Sequence, residues 1–221
     1  MRSWQAAGAE RLWHDEDIEP MVRAVVPQHA ERILAMRSPV ERNDMVRYAI
    51  LWKYGGVYAD LDIELRAATR LHRLVSYAME HSAVLLPTET MFAPTGRMRQ
   101  AGQCLMVSSP RHPFWLALID ELVGSYNASC YEPTNTGPGA ITLAYNRLCH
   151  NFSGVTPLDE LMEGSTKVTM HHPTGSWREV GARSRFASKG EMYDHYKRSC
   201  PQRQTWTGIA ASCRARRIHI T

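Results

Sequence analysis

The sequence lacks any long apolar run. Hydrophobic residues make up 44% of its 221 positions, yet none of their stretches approaches the roughly 18–20 residues that a helix needs to cross a bilayer. The first residues, MRSWQAAGAE, also lack the apolar core of a signal peptide. The pattern predicts no transmembrane segment in this chain and leaves its compartment open.

Closely spaced cysteine pairs are missing as well. The five cysteines are dispersed without a C-x-x-C spacing, which argues against a zinc site or a dithiol redox motif. Cys200 and Cys213 are candidates for a disulfide in an oxidising compartment, although their spacing does not require one. Two N-glycosylation sequons, at Asn127 and Asn151, matter only in a secretory lumen.

A marked excess of charge of one sign occurs only at the C-terminal end of the sequence. Residues 181–221 contain nine Lys or Arg against two Asp or Glu, a charge of +7, so with a total of +4 the remainder carries −3. Basic residues do not interleave with aromatic ones as they do in nucleic-acid-binding patches. We therefore expect a solvated basic tail and no nucleic-acid partner. The overall composition is that of a globular protein.

A helix is predicted at residues 43–54, in the most informative part of the chain. Asn43 is a candidate N-cap because its side-chain oxygen can accept an unpaired backbone N–H. Asp44 and Arg47 are three positions apart and therefore share a helix face. Residues 55–56 are both glycine, which favours a helix end because glycine enters the left-handed conformation without steric cost.

Residues 57–64 alternate apolar and polar side chains and predict a strand. Alternate residues of a strand point the same way, so Asp60 and Asp62 are expected on one face, about 6–7 Å apart at the backbone. Two such carboxylates can hold one divalent cation and leave coordination positions for substrate phosphates. The alternative is a half-buried strand with a solvated acidic face.

Helices and strands alternate along the rest of the chain, which predicts an α/β fold with a largely parallel sheet. We expect helices at 15–26, 28–37, 69–81, 112–126 and 140–149, strands at 83–87, 104–110 and 167–170, and a loop at 91–102.

Two further positions suit a ligand. Residues 135–139, NTGPG, precede a predicted helix, and a Gly-Pro helix start presents free backbone N–H groups to an anionic or hydroxyl-rich ligand. The proline equally suits the first turn of any helix. His171 and His172 follow the last predicted strand; imidazole is a good Mn2+ ligand, although a histidine pair at a strand end is also compatible with simple exposure.

Three of these features together resemble the DXD glycosyltransferases of family 32, which includes Golgi mannosyltransferases and inositol phosphoceramide mannosyltransferases. They are residues 44–47, the YGG triplet at 54–56 and the DLD triplet at 60–62. The resemblance implies a GT-A-like, Rossmann-type sandwich over residues 1–180, followed by the basic tail at 181–221. Family members begin with an apolar strand that this sequence lacks before Arg11, so the resemblance implies an N-terminally truncated domain.

The resemblance also implies the roles of individual residues. Mn2+ or Mg2+ would be held by Asp60, Asp62 and His172, with His171 in reserve; His172 fits the family's terminal motif together with Gly175 and Trp177. Asp44, Arg47 and Asp62 would take part in catalysis. Residues that would bind the substrates are Asp44, Arg47, Tyr58, Asp60, Thr136, Gly137, Pro138, Ser176 and Trp177.

The function implied is that of a metal-dependent retaining glycosyltransferase. It would move a hexose, with mannose the first choice, from GDP-mannose or a UDP-sugar to a glycan, glycolipid or protein hydroxyl. Two alternatives stay open: a catalytically impaired remnant that only binds, and a DxD phosphohydrolase, which Glu64 disfavours because that motif has Thr or Val there. The location would be the Golgi lumen or a membrane if a lost N-terminus carried an anchor, and otherwise the cytoplasm.

Overall fold

The computed structural model describes residues 2–8, 11–93, 96–130, 135–162, 167–172, 198 and 208–213. Its α-helices are α1 (Arg2–Ala6), α2 (Ile18–Val25), α3 (Ala30–Leu34), α4 (Pro39–Tyr54), α5 (Ala68–Glu80), α6 (Phe114–Gly124) and α7 (Pro138–Leu148). Its strands are β1 (Gly56–Ala59), β2 (Ile63–Leu65), β3 (Val84–Ala93), β4 (Gly96–Ala101), β5 (Leu105–Ser108), β6 (Val155–Leu158) and β7 (Thr169–His171). Among the described helices, none has the length and apolarity that a bilayer crossing requires.

The main sheet has the strand order β1-β5-β3-β4, and β6 also pairs with β3. The pairs β1–β5, β3–β5 and β3–β4 are antiparallel, whereas β6 runs parallel to β3. The predicted α/β class is present, but the expectation of a largely parallel sheet is wrong for the described strands. One reason is that residues 91–93 and 96–101 belong to β3 and β4 instead of the predicted loop, and these consecutive strands pair antiparallel.

The sheet lies between two helical layers, as a sandwich requires. Val84 and Leu86 of β3 contribute to a core with α2, α4, α6 and α7, whereas Leu85 contributes to a second core with α5. In β5, Met106 belongs to the first core and Leu105 to the second. This alternation follows from the two-residue period of a strand, which sends successive side chains to opposite faces.

The central helix α4 begins earlier than the sequence pattern predicts. Ser38 caps it: its hydroxyl accepts the Glu41 N–H at 3.2 Å, and the Glu41 carboxylate accepts the Ser38 N–H at 3.1 Å. The predicted cap at Asn43 is therefore wrong. The end is as expected, since Gly55 has a φ of +65° and a Cβ there would lie 2.5 Å from the Pro110 nitrogen. Only glycine fits that position.

The predicted strand at 57–64 is two strands joined by a turn. β1 ends at Ala59, the Ile63 N–H donates to the Asp60 carbonyl at 3.1 Å, and β2 pairs with β7 in a separate sheet. The expectation that Asp60 and Asp62 share one face of a strand is wrong, because the chain leaves the main sheet between them. Asp60 and Asp62 therefore both lie in a tight turn at the edge of the main sheet.

Part of the expected tail packs on the domain. The Ile209 N–H donates to the Arg99 carbonyl at 2.8 Å, and a disulfide joins Cys213 to Cys149 just after α7. The suggested pairing of Cys213 with Cys200 is therefore wrong. Cys104 is a buried free thiol. The predicted boundary between residues 180 and 181 lies outside the described residues.

Candidate functional site

Several elements meet where β1 ends and β5 begins. The Asp60 N–H donates to the Cys104 carbonyl at 2.8 Å, which fixes the start of the DXD turn beside the residues that precede β5. Helix α4 contributes Asp44, Arg47 and Tyr48 from one face, because these positions follow the three- and four-residue spacing of helix neighbours. Thr136 lies just before α7 and completes the group.

Arg47 is the centre of this group. Its guanidinium lies 3.1 Å from a carboxylate oxygen of Asp44 and 3.2 Å from one of Asp60, and it donates to the Gln103 carbonyl at 3.1 Å. The Tyr58 ring lies 5.1 Å from the guanidinium carbon. Burial opposes the charge, but the carboxylates of Asp60 and Asp44 hold the Arg47 pKa well above its usual range. The side chain is thus a fixed positive charge.

Asp44 lies deeper, with 1% of its surface exposed. One of its carboxylate oxygens accepts from the Gln103 amide and the other from the Thr136 hydroxyl, each at 2.7 Å. Burial raises the pKa of Asp44 to about 6, although Arg47 and these hydrogen bonds favour the charged form. Asp44 is therefore ionised at neutral pH and becomes neutral in mild acid.

The segment that carries Thr136 is tied to α4 by buried hydrogen bonds. Glu41, fully buried, accepts from the Asn135 amide at 2.9 Å and from the Tyr126 hydroxyl at 3.0 Å. The Tyr48 hydroxyl donates to the Gln103 side chain at 2.5 Å. Gly137 and Pro138 begin α7 in the expected way, with the proline in the first turn.

Sequence reasoning missed Gln103, Tyr48 and Glu41, and it included Asn135 only as part of the helix start at 135–139. For Tyr48 a pattern was available, because it lies four residues after Asp44 and therefore on the same helix face. For Glu41 the Ser38-x-x-Glu41 capping box was visible in the sequence. Gln103 and Asn135 show no local pattern, since their contacts join segments far apart in the chain.

The other carboxylate of the DXD triplet faces a more exposed region. The Asp62 carboxylate lies 3.4 Å from the His171 imidazole. The backbone N–H of His172 donates to the backbone carbonyl of Asp62 at 2.9 Å. The His172 imidazole instead lies 2.8 Å from Glu64, and its side chain is 55% exposed. The pairing of β2 with β7 produces these contacts, since it places Ile63 opposite His171.

Whether a divalent cation fits this site depends on the carboxylates of Asp60 and Asp62. Asp60 and Asp62 are 30% and 25% exposed and offer the oxygen ligands that Mg2+ and Mn2+ accept. Among the described residues, one group brings at least three potential ligand atoms within 4.8 Å of one another: Cys149, His150 and Cys213. The sulfurs of its two cysteines are bonded to each other in a disulfide. The two carboxylates suit an ion that takes its other ligands from substrate and water; the predicted set with His172 is not assembled. Ser176 and Trp177 lie outside the described residues.

Part of this region is similar to a known protein family. Residues 10–77 match the family described as "Glycosyltransferase sugar-binding region containing DXD motif". This range includes α4, Asp60 and Asp62, so the resemblance to the DXD glycosyltransferases is confirmed.

Of three yeast relatives, two are named mannosyl phosphorylinositol ceramide synthases and one an inositol phosphoceramide mannosyltransferase. Mannosyl phosphorylinositol ceramide synthase CSH1 of Saccharomyces cerevisiae is 31% identical over 141 residues, 62% of this chain and 34% of the relative. The synthase SUR1 of the same yeast is 32% identical over 50% of this chain and 25% of the relative. Inositol phosphoceramide mannosyltransferase 3 of Schizosaccharomyces pombe is 40% identical over 24% of this chain and 15% of the relative. The chain thus spans about a third or less of the length of these relatives.

Proposed function

We propose that the chain, whose residues 10–77 match the sugar-binding region of the DXD glycosyltransferases, is a retaining glycosyltransferase that uses a nucleoside diphosphate sugar. The observation that supports this most is the buried Arg47, held between Asp44 and Asp60 at 3.1 and 3.2 Å, directly beside the DXD turn. A fixed guanidinium suits a diphosphate, because its donors match phosphate oxygens in pairs.

The relatives' names support mannose as the sugar and an inositol-phosphate glycolipid as the first acceptor to test. GDP-mannose is therefore the first donor, followed by UDP-sugars. Glycan and protein hydroxyls are the further acceptors.

Asp60 and Asp62 would hold the divalent ion, Mn2+ or Mg2+, and the histidine pair would supply a further ligand. When bound, such an ion offsets the negative charge that develops on a departing diphosphate. His172 is the ligand that the family motif favours, whereas His171 is the imidazole that lies near Asp62. The two histidines therefore need separate tests.

Each remaining residue has a proposed task in the transfer. Arg47 binds the diphosphate, and Thr136 with the start of α7 lines the sugar side. Asp44 holds Arg47 in place; a sugar hydroxyl reaches its carboxylate by replacing the amide of Gln103 or the hydroxyl of Thr136. Removing the amide of Gln103 or the hydroxyl of Thr136 should then hold the Asp44 carboxylate less firmly in place.

Retention is proposed to occur by front-face displacement. The acceptor oxygen forms a bond to the anomeric carbon on the face from which the diphosphate departs, while the anomeric C–O bond breaks. The acceptor proton passes to the leaving phosphate oxygen, so the step needs no separate protein base. Stabilising the charge on the leaving group is then the main contribution of the protein.

The test is a panel of nucleotide sugars with Mn2+, Mg2+ or EDTA, read by thermal unfolding and by release of the nucleoside diphosphate. A true donor raises the Tm through mass action and is hydrolysed or transferred in a metal-dependent way. Phosphate release from a simple phosphomonoester instead would support the phosphohydrolase. Stabilisation without turnover would support a binding protein, and indifference to every nucleotide sugar would overturn the proposal.

A further inference from the structure

The two sequons of the chain occupy its most accessible asparagines. The sequence has five asparagines, and two of them begin an Asn-x-Ser triplet, at Asn127 and Asn151. Both of these are exposed, whereas Asn43, Asn135 and Asn146 are buried or half-buried. The asparagines that fit the acceptor pattern are therefore also those that reach solvent.

The first sequon is held by its backbone and presents its side chains outward. Asn127, Ala128 and Ser129 are all exposed. The Arg37 guanidinium donates to the Ala128 carbonyl at 2.6 Å, and the Asn127 side-chain oxygen accepts the Ser129 N–H at 2.9 Å. The oxygen of the Asn127 amide makes that bond, while its nitrogen is the atom that would carry a glycan.

The second sequon is anchored by its middle residue. Phe152 is half-buried and packs 6.1 Å from the Phe114 ring, whereas Asn151 and Ser153 on either side are exposed. The Asn151 N–H donates to the Leu148 carbonyl at 2.8 Å, which fixes the turn after α7. A bulky group on Asn151 would therefore project away from the core.

Disulfides lie beside both sequons and point independently to the same environment. Cys149, two residues before Asn151, is bonded to Cys213, and Cys130, three residues after Asn127, is also disulfide-bonded. Disulfides of this kind form and persist in oxidising compartments such as the secretory lumen. The same lumen is where Asn-x-Ser acceptors are modified.

We propose that Asn127 and Asn151 are N-glycan attachment sites and that the chain folds in an oxidising secretory lumen. The co-reactant is an oligosaccharide linked to a lipid pyrophosphate. A bond forms between the asparagine amide nitrogen and the anomeric carbon, and the anomeric C–O bond to the pyrophosphate breaks. The lipid pyrophosphate leaves, and the amide proton passes to a base of the transferring enzyme.

The test is secretion of the full chain, fused behind a cleavable signal peptide, from a eukaryotic host, followed by enzymatic removal of N-glycans in 18O-water. We expect 18O-labelled aspartate at positions 127 and 151 and a stepwise gain in mobility on deglycosylation. Ser129→Ala should remove the first glycan only, and Ser153→Ala the second only. The matched variants Ser129→Thr and Ser153→Thr should keep both, because threonine preserves the acceptor triplet.

A folded secreted chain with both asparagines unmodified would overturn the proposal, as would glycans that persist in the alanine variants. A peptide map without reductant provides a second readout, in which Cys149 and Cys213 should be linked. Free thiols at both positions in the secreted protein would contradict the oxidising lumen. Because none of these measurements uses nucleotide-sugar turnover, the outcome is separate from that of the proposed glycosyltransferase activity.

Discussion

The candidate site has two regions that differ sharply in burial. The buried cluster consists of Asp44, Arg47, Gln103 and Thr136; the exposed rim consists of Asp62, Glu64, His171 and His172. In the buried cluster the Asp44 carboxylate, the Arg47 guanidinium and the Gln103 side-chain amide each have more than one partner. In the exposed rim each imidazole meets one carboxylate.

This contrast shows which part of the site is preorganised. A buried charge is tolerated only when it is paired and hydrogen-bonded, so the cluster must be complete before any ligand arrives. Exposed pairs contribute little to stability, so a metal ion or a phosphate can replace them at low cost. Asp60 joins the two regions, since it contacts Arg47 and lies on the DXD turn.

Removal of Arg47 should have the largest effect. Arg47→Ala leaves the Asp44 carboxylate buried without its cation, so we expect a loss of about 3–5 kcal/mol in the free energy of unfolding. Release of the nucleoside diphosphate should fall by about 100- to 1,000-fold. Denaturant unfolding and the release assay measure the two effects.

Arg47→Lys is the matched control. It keeps the charge but lacks the forked donors, so its loss of stability should be intermediate. An Arg47→Ala variant with the unfolding midpoint of the wild type would show that the cluster does not depend on this residue.

Asp44→Asn should change how stability depends on pH. The pKa of Asp44 is about 6 in the folded protein, above the ordinary aspartate value of 3.8, so the native state binds more protons between these values. The stability that Asp44 contributes is fully present below pH 3.8 and is lost as the pH rises through about 6. Relative to wild type, Asp44→Asn should therefore gain up to about 3 kcal/mol between pH 4 and 8.

Denaturant unfolding of both proteins across this pH range checks the prediction, and nucleotide-sugar turnover of the variant should fall. A stability difference that stays constant with pH would contradict a raised pKa of Asp44.

Asp62→Asn should separate stability from ion binding. Because Asp62 is on the rim, we expect the free energy of unfolding to change by no more than about 0.5 kcal/mol. The rise in Tm caused by Mn2+ with a donor should nevertheless disappear. Glu64→Gln is the matched control: it removes another exposed rim carboxylate and should keep the ion response. An Asp62→Asn variant that still responds to Mn2+ would exclude this carboxylate as a ligand.

The histidine pair should give the smallest effects. Each imidazole makes an exposed contact with one carboxylate, so His171→Ala and His172→Ala should each change stability by no more than about 0.5 kcal/mol. We expect His171→Ala to weaken the Mn2+ response more, because its imidazole is the one near Asp62. Titration of Mn2+ against both variants decides this. A greater loss in His172→Ala would favour the ligand suggested by the family motif.

Local patterns determined a large part of the site. The end of α4 at Gly55, the spacing of Asp44 and Arg47 and the Gly-Pro start of α7 were predictable, because capping, helix periodicity and glycine conformation act within a few residues. The DXD triplet was equally visible. Its position in the chain and the residues on either side pointed to the family, and the matched range 10–77 confirms that resemblance.

Only the tertiary structure decided how distant segments meet. The antiparallel sheet, the turn at Asp60 and Asp62, the Gln103 and Thr136 contacts to Asp44 and the bond between Cys149 and Cys213 all join residues far apart in sequence. Such pairings depend on where each segment finds a partner for its backbone and its apolar face, and no local pattern records that choice. The chain alone therefore specified the candidate groups for the chemistry, and the fold specified which of them are buried together.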